Sequence, residues 1–152
     1  MRIGLISDTH GLLRPAVLEW LQGSDHLLHA GDICDASVLQ ALARIAPVTA
    51  VRGNNDHGHF AEALKEGESV RFAGVEVFVV HDISDLRRFP RSASARVVVS
   101  GHSHKPLVQE RDGVLFVNPG SAGPRRFKLP ISAGELLVEG DRVQARLREF
   151  PA

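Results

Sequence analysis

Five apolar runs in this chain each stop, within about three residues, at a side chain that can bind a metal. Ile3-Ile6 leads to Asp8, Leu27-Leu28 to Asp32, Val48-Val51 to Asn54, Val77-Val80 to His81, and Val97-Val99 to His102. Short β-branched runs bounded by glycine and polar residues are the pattern of buried parallel strands, and in open α/β sheets ligands bind beyond the carboxyl ends of the strands. The chain therefore has to fold so that several strand ends share one edge, and the residues gathered there read as a metal site.

The first half alternates strand and helix. Arg2-Ser7 is a strand, Pro15-Leu21 a helix with Pro15 at its first position, and Asp25-Ala30 the next strand. Asp35 then caps a helix with Val38, Leu39, Leu42 and Ile45 on one face, and Pro47-Arg52 closes a second β-α-β unit, which implies a parallel sheet. The second half reads as hairpins: Ser69-Phe72 with Val75-His81, Leu107-Arg111 with Val114-Asn118, and Glu135-Glu139 with Val143-Leu147, the last two turning at Asp112-Gly113 and Gly140-Asp141. Residues 82-94 read equally well as a short helix or a mobile flap. There is no internal repeat or low-complexity tract.

At 152 residues and 43% hydrophobic content the chain is expected to form one domain over residues 1-152 with a substantial core. Its 18 basic and 18 acidic residues cancel without long runs, so it lacks the basic footprint of a general nucleic-acid or anionic-membrane binder. The single cysteine, Cys34, and an apparent buried strand beginning at Arg2 point to a cytoplasmic protein. No apolar stretch approaches the roughly 18 to 20 residues that span a bilayer. Self-association into a homo-oligomer is left open.

Asp8-Thr9-His10 and His102-Ser103-His104 each place two donors two residues apart, which an extended backbone points to the same side. With Asp32, Asn54 and His81 they make seven donors. That exceeds the four of a structural zinc, and the mixture of imidazole, carboxylate and amide suits Mn, Fe, Ni or Zn better than Mg or Ca. Two ions sharing a bridging carboxylate and a bridging water would use the set.

These residues resemble the calcineurin-like metallophosphoesterases, and within them the small single-domain bacterial and archaeal phosphodiesterases. The blocks Asp8-Thr9-His10, Gly31-Asp32, Gly53-Asn54-Asn55-Asp56, His81, Gly101-His102-Ser103-His104 and Asn118-Pro119-Gly120-Ser121 occur in the family's order and at similar spacing. The resemblance implies an α/β fold, with two mixed β-sheets packed as a sandwich and flanked by helices in a four-layer αββα arrangement. It implies two divalent ions, Mn foremost with Ni, Fe or Zn as alternatives. Asp8, His10 and His104 would hold one, Asn54, His81 and His102 the other, and Asp32 would bridge them. A metal-bridged hydroxide, held through Asp32, Asn54 and His102, would attack phosphorus in line. Two divalent ions less two carboxylates leave a charge of about +2, or about +1 with hydroxide bound, which suits a singly charged phosphodiester or a nucleotide.

The chain also departs from that family. Asn55 stands where many members carry a His thought to protonate the leaving group or steady the transition state, and an amide cannot act as that acid; His57 or His59 could replace it. No Arg follows Asp32 as it does in the phosphoprotein phosphatases, so Arg125, Arg126 or Lys105 would have to grip a second phosphate. Asp82 occupies the place of the usual Gly after His81, where a carboxylate either orients a ligand imidazole or lowers the charge of the site. Asp56 and Asn118 are candidate supports for the ligands or substrate contacts, as is Arg125. His29 is expected to support a ligand or lie in the core, His26 at the surface, and Cys34 as an inert thiol. Two other functions fit the same residues: a catalytically weak protein-binding scaffold of this fold, like the retromer subunit, and a phosphomonoester or nucleotide phosphatase.

Overall fold

Ile3, Leu5 and Ile6 leave the first strand no wet face, and β1 (Arg2–Ile6) runs through the middle of a five-stranded sheet. This is seen in a computed structural model that describes residues 1–152. From β1 the chain passes through α1 (Pro15–Leu21), β2 (His26–His29), α2 (Ala36–Ala43) and β3 (Val48–Ala50), with β1, β2 and β3 parallel. Pro15 opens α1, and the Asp35 carboxylate caps α2 by accepting the Ser37 N–H at 2.9 Å. A short helix, α3 (His59–Glu62), goes unmarked in the sequence. At four residues it has no periodicity to detect.

The second sheet is built from β4 (Gly67–Phe72), β5 (Val75–Val80), β6 (Val97–Val99), β7 (Leu107–Arg111) and β8 (Val114–Asn118), in the order β4-β5-β6-β8-β7. Its inner strands β5, β6 and β8 are parallel, and the hairpin partners β4 and β7 form antiparallel edges. The chain then returns to the first sheet as β9 (Ile131–Glu139) and β10 (Arg142–Phe150), giving the order β10-β9-β1-β2-β3. Both strands run nine residues, well beyond the expected five. Ser132 and Gly134 break the hydropathy signal, but β9 pairs with β1 on one side and β10 on the other, and those ladders carry it through.

The two sheets face each other across a core of Ile3, Leu5, Leu28, Val77, Val79, Val97, Val99 and Leu136. The outer face of the first sheet is covered by α1 and α2 through Val17, Leu21, Val38 and Leu42. Over the second sheet the covering layer is thinner. Segment 82–94 forms two 3-10 helices, Ile83–Arg88 and Pro90–Ser94, and its Leu86 and Phe89 pack on Phe78, Val80 and Val98. The expected αββα layering thus holds, with 3-10 turns as its fourth layer. No helix is long and apolar enough to cross a membrane.

Candidate metal centre

Parallel strands deliver their carboxyl ends to the same edge, and here both sheets do so together. Asp8 follows β1, Asp32 follows β2, Asn54 follows β3, His81 follows β5, His102 follows β6, and Asn118 ends β8. The paired donors converge for a different reason from the one expected. Asp8, His10, His102 and His104 have φ of 54°, 47°, 68° and 63°, so both segments are left-handed turns, not extended strand. Asp32 and Cys34 are left-handed as well, at 56° and 70°. Such backbone costs about 1–2 kcal/mol per non-glycine residue, a strain that clusters at functional sites.

The donors form two overlapping groups in which all ligand atoms lie within 4.8 Å of one another: Asp8, His10 and His104, and Asp8, Asp32 and His81. Asp8 Oδ1 is 3.3 Å from His104 Nε2, 3.9 Å from His81 Nε2 and 4.0 Å from His10 Nε2. Asp32 Oδ2 is 3.4 Å from His81 Nε2 and 3.7 Å from His10 Nε2, which puts it between the groups. Asn54 Oδ1 joins the second group, 2.9 Å from His81 Nε2 and 3.3 Å from His102 Nδ1. The buried side-chain atoms with no hydrogen-bond partner are Asp8 Oδ1, His10 Nε2 and His104 Nδ1, one from each residue of the first group. Orphaned buried polar atoms are costly, and Asp8 Oδ1 and His10 Nε2, 4.0 Å apart with His104 Nε2 3.3 Å from the same oxygen, fit a cation. The second group fits equally in its chemistry. His81 donates Nδ1–H to the Ala30 carbonyl at 2.7 Å, which directs Nε2 at Asp32 and Asn54.

The supporting contacts are as specific. Asp56, 1% exposed, accepts four backbone N–H bonds: Ile33 and Cys34 at 2.8 Å on Oδ1, and Gly53 at 2.8 Å and Asp32 at 3.0 Å on Oδ2. It therefore ties the Asp32 loop to the Asn54 loop. Asn118 donates to the Gly101 carbonyl at 3.0 Å and to Ser103 Oγ at 3.1 Å, holding the turn that carries His102 and His104. Arg125 is exposed on the loop after Ser121 and makes no contact with the donors. Four supports escaped the sequence reading. Asn55 grips both oxygens of Asp32, from its backbone N–H at 2.9 Å and its amide at 3.0 Å. Ser7 donates to Asp8 Oδ2 at 2.6 Å, Ser121 to the Asp8 carbonyl at 3.0 Å, and Cys34 Sγ lies 3.7 Å from His10 Nδ1. Ser7 excepted, these contacts join residues more than twenty apart in sequence. His29 is fully buried, its Nδ1 accepting the Gly31 N–H at 3.1 Å and its Nε2 facing Thr9 Oγ1 at 3.0 Å. His26 is half-buried against Thr49 and Phe72 instead of lying free at the surface.

The electrostatics follow burial and pairing. Burial pushes the Asp32 carboxyl upward, but His81 and Asn55 outweigh it and hold it far below the ordinary carboxylate range. Asp8 is lowered too, burial being outweighed by His104 beside it, by the hydrogen bond from Ser7 and by the charge of His81. His81 is raised: burial opposes its charge, and Asp32 and Asp8 prevail. Burial lowers His10 and takes His29 down to about 4. Cys34 is pushed up to about 11, first by burial and then by Asp56 and Asp32, which leaves an inert thiol.

A cavity of about 340 Å³ opens beside Asn54, His81 and His102, with Arg52, His57 and Phe89 on its walls. Arg52 Nε donates to the Asp56 carbonyl at 3.3 Å, and Arg88 is paired with Glu66 at 2.6 Å. His59 points away, fully exposed and 3.8 Å from Glu62, so of the two candidate acids only His57 borders the cavity.

An α/β sandwich with histidines, carboxylates and an asparagine converging from five strand ends is the architecture of a metal-dependent phosphoesterase. Residues 1–141 match the family model described as the calcineurin-like phosphoesterase superfamily domain, and the chain belongs to that superfamily. A probable metallophosphoesterase from Methanothermobacter thermautotrophicus is 34% identical, over 97% of this chain and 91% of its own length. The structure of a novel archaeal phosphodiesterase superimposes with a TM-score of 0.80 at 25% identity, over 97% of this chain and all of that one. Vps29 from Entamoeba histolytica, solved with zinc, shares the fold at a TM-score of 0.79 and 21% identity, over 99% of this chain and all of its own.

Proposed function

We propose that this chain, acting as one domain in the cytoplasm, is a dinuclear metal-dependent phosphodiesterase. Asp8, His10 and His104 would hold one divalent ion and Asn54, His81 and His102 the other, with Asp32 between them. The observation that carries the reading is the pair of overlapping donor groups, Asp8 with His10 and His104, and Asp8 with Asp32 and His81, the first with Asp8 Oδ1 and His10 Nε2 buried and without hydrogen-bond partners. Bound divalent ions supply Lewis-acid charge and lower the pKa of water to about 7. The chain itself does the rest. Asp8 and Asp32 offset part of the ions' charge and leave about +2, matched to the single charge of a diester. Of the two arginines lining the cavity, Arg52 is bonded to the Asp56 carbonyl and Arg88 to Glu66, which leaves Arg126, whose charge reaches His10, as the cation available for the second charge of a monoester. Asn55, engaged with Asp32, contributes position and no proton, so leaving groups that depart unprotonated are favoured.

The purified chain with Mn²⁺ should hydrolyse bis-p-nitrophenyl phosphate faster than p-nitrophenyl phosphate. Asp32→Asn and His102→Ala should each abolish the reaction. Activity surviving in both variants sinks the assignment, and a preference for the monoester moves it to a phosphatase. Repeating the assay with Ni²⁺, Zn²⁺ and Fe²⁺ identifies the working ion. One observation favours a second, protein-binding role: all five residues of the edge strand β7 are exposed, Leu107 and Val108 at 48% and 41%. Binding of a partner with the ions stripped away and blocked by Leu107→Asp would support it.

A further inference from the structure

Three of the four proposed ligand imidazoles are fixed by burial, but His102 is not. His81 and His104 are 6% and 4% exposed at the side chain and His10 16%, whereas His102 is 44% exposed. No backbone carbonyl accepts from its ring. One group does face the ring's outer nitrogen: Asp82 Oδ2 lies 3.7 Å from His102 Nε2. That carboxylate is itself fixed, because its Oδ1 accepts from Ser84 N at 3.0 Å and Ser84 Oγ at 2.8 Å, capping the first 3-10 helix. We infer that Asp82 is the positioning residue that sets the orientation and tautomer of His102.

The argument is one of competing acceptors. A neutral imidazole has one proton to donate, and His102 has an acceptor at each end: Asn54 Oδ1, 3.3 Å from Nδ1, and Asp82 Oδ2. Asn54 Oδ1 is uncharged and also lies 2.9 Å from His81 Nε2. Asp82 is an anion whose second oxygen has no other partner. The proton therefore goes to Nε2, with a shift of about half an ångström closing the 3.7 Å gap into a charge-assisted bond. Nδ1 is left bare on the Asn54 side, the form a metal needs. This rests on the two-ion reading and adds to it the reason that the most exposed ligand can be counted on.

Long-range ¹H–¹⁵N spectra of the metal-free chain, at a pH where imidazole is neutral, report the tautomer directly, with His102→Gln assigning the signal. The wild type should show His102 protonated at Nε2. Asp82→Asn keeps an oxygen for the Ser84 cap and turns an amide donor toward Nε2, so it should reverse the tautomer. Asp82→Ala should give a mixture. In Zn²⁺ calorimetry both variants should weaken the second equivalent about 10–100-fold and leave the first unchanged. Asp85→Asn, which removes a neighbouring charge, should alter neither reading. An Nε2–H form that persists in both Asp82 variants, or an unweakened second equivalent, overturns the inference. A wild-type chain that takes up fewer than two equivalents overturns the two-ion reading, and the metal-free tautomer comparison still decides the role of Asp82.

Discussion

Asp56→Ala should be among the most damaging substitutions outside the ligands, even though Asp56 touches no other donor side chain. Its carboxylate is 1% exposed and accepts four backbone N–H bonds of 2.8 to 3.0 Å, three from the Asp32 loop and one from Gly53. A hydrogen bond to a charged acceptor contributes about 1.5–3 kcal/mol, and a buried N–H left without a partner costs about 1–3. The four share one acceptor and do not add fully, and relaxation admits some water. A loss of about 4 kcal/mol is expected, equivalent to a melting temperature lower by about 8 to 16 °C in a chain of this size. Asp56→Asn is the sharper test. It keeps one oxygen for two of the donors and turns an NH₂ toward the other two, so it should cost about half to two-thirds as much, although its shape hardly changes. Urea unfolding of the metal-free proteins measures both, the midpoint shifting at constant slope. Calorimetric metal titration should show weakened ion binding in both, because Asp32 and Asn54 sit on the loops that Asp56 joins. If Asp56→Ala unfolds within about 1 kcal/mol of the wild type, the loops hold themselves and the reasoning is wrong.

Mn²⁺ at about a hundredfold excess over its dissociation constant should stabilise the folded chain by about 2.7 kcal/mol, and chelation should reverse this; a melting temperature indifferent to both refutes the metal centre. The metal-free chain should lose stability on acidification. His29 is held at about 4 against an ordinary 6.5, so its share of stability is complete above 6.5 and drains away as pH falls toward 4, by up to about 3 kcal/mol. His10 and His26 lean the same way and His81 the opposite way, so the slope difference between the wild type and His29→Gln, read by urea unfolding across that window, isolates the residue. Asp8 and Asp32, held below 3.8, add a separate loss at lower pH still. Gly53→Ala would drive a methyl into the backbone nitrogen and carboxylate of Asp32, and should cost about 3 kcal/mol and most of the ion affinity. Wild-type titration curves from that variant would mean the loops separate more easily than their packing implies.

What could be read from the sequence was the local part of the design. Apolar runs marked β1, β2, β5 and β6, and the polar residue after each lies where the strand ends meet. What could not be read is non-local. β6 pairs with β8 in parallel, across a hairpin that in sequence looks self-contained. Asp56 reads as a support for the ligands or a substrate contact, but Gly53-Asn54-Asn55-Asp56 does not show that it reaches back more than twenty residues to three N–H groups. Asn55 reads as a missing acid and turns out to be a clamp on Asp32.

The backbone at the donors shows why these supports exist. Asp8, His10, Asp32, His102 and His104 are all left-handed, five of the nine non-glycine residues with positive φ in the chain. At about 1–2 kcal/mol each, that strain sums to somewhere near 5–10 kcal/mol, comparable with the whole stability of a small protein. No local preference of Asp or His pays such a sum, although both tolerate the conformation better than branched residues do. It has to be offset by contacts made elsewhere: the four bonds to Asp56, the Asn118 anchor on Gly101, and Ser7 and Ser121 on Asp8. The strained turns aim the side chains, the buried polar residues beneath hold the turns, and the two sheets hold those residues. The donors can be found one at a time in the sequence, but their convergence belongs to the assembled fold.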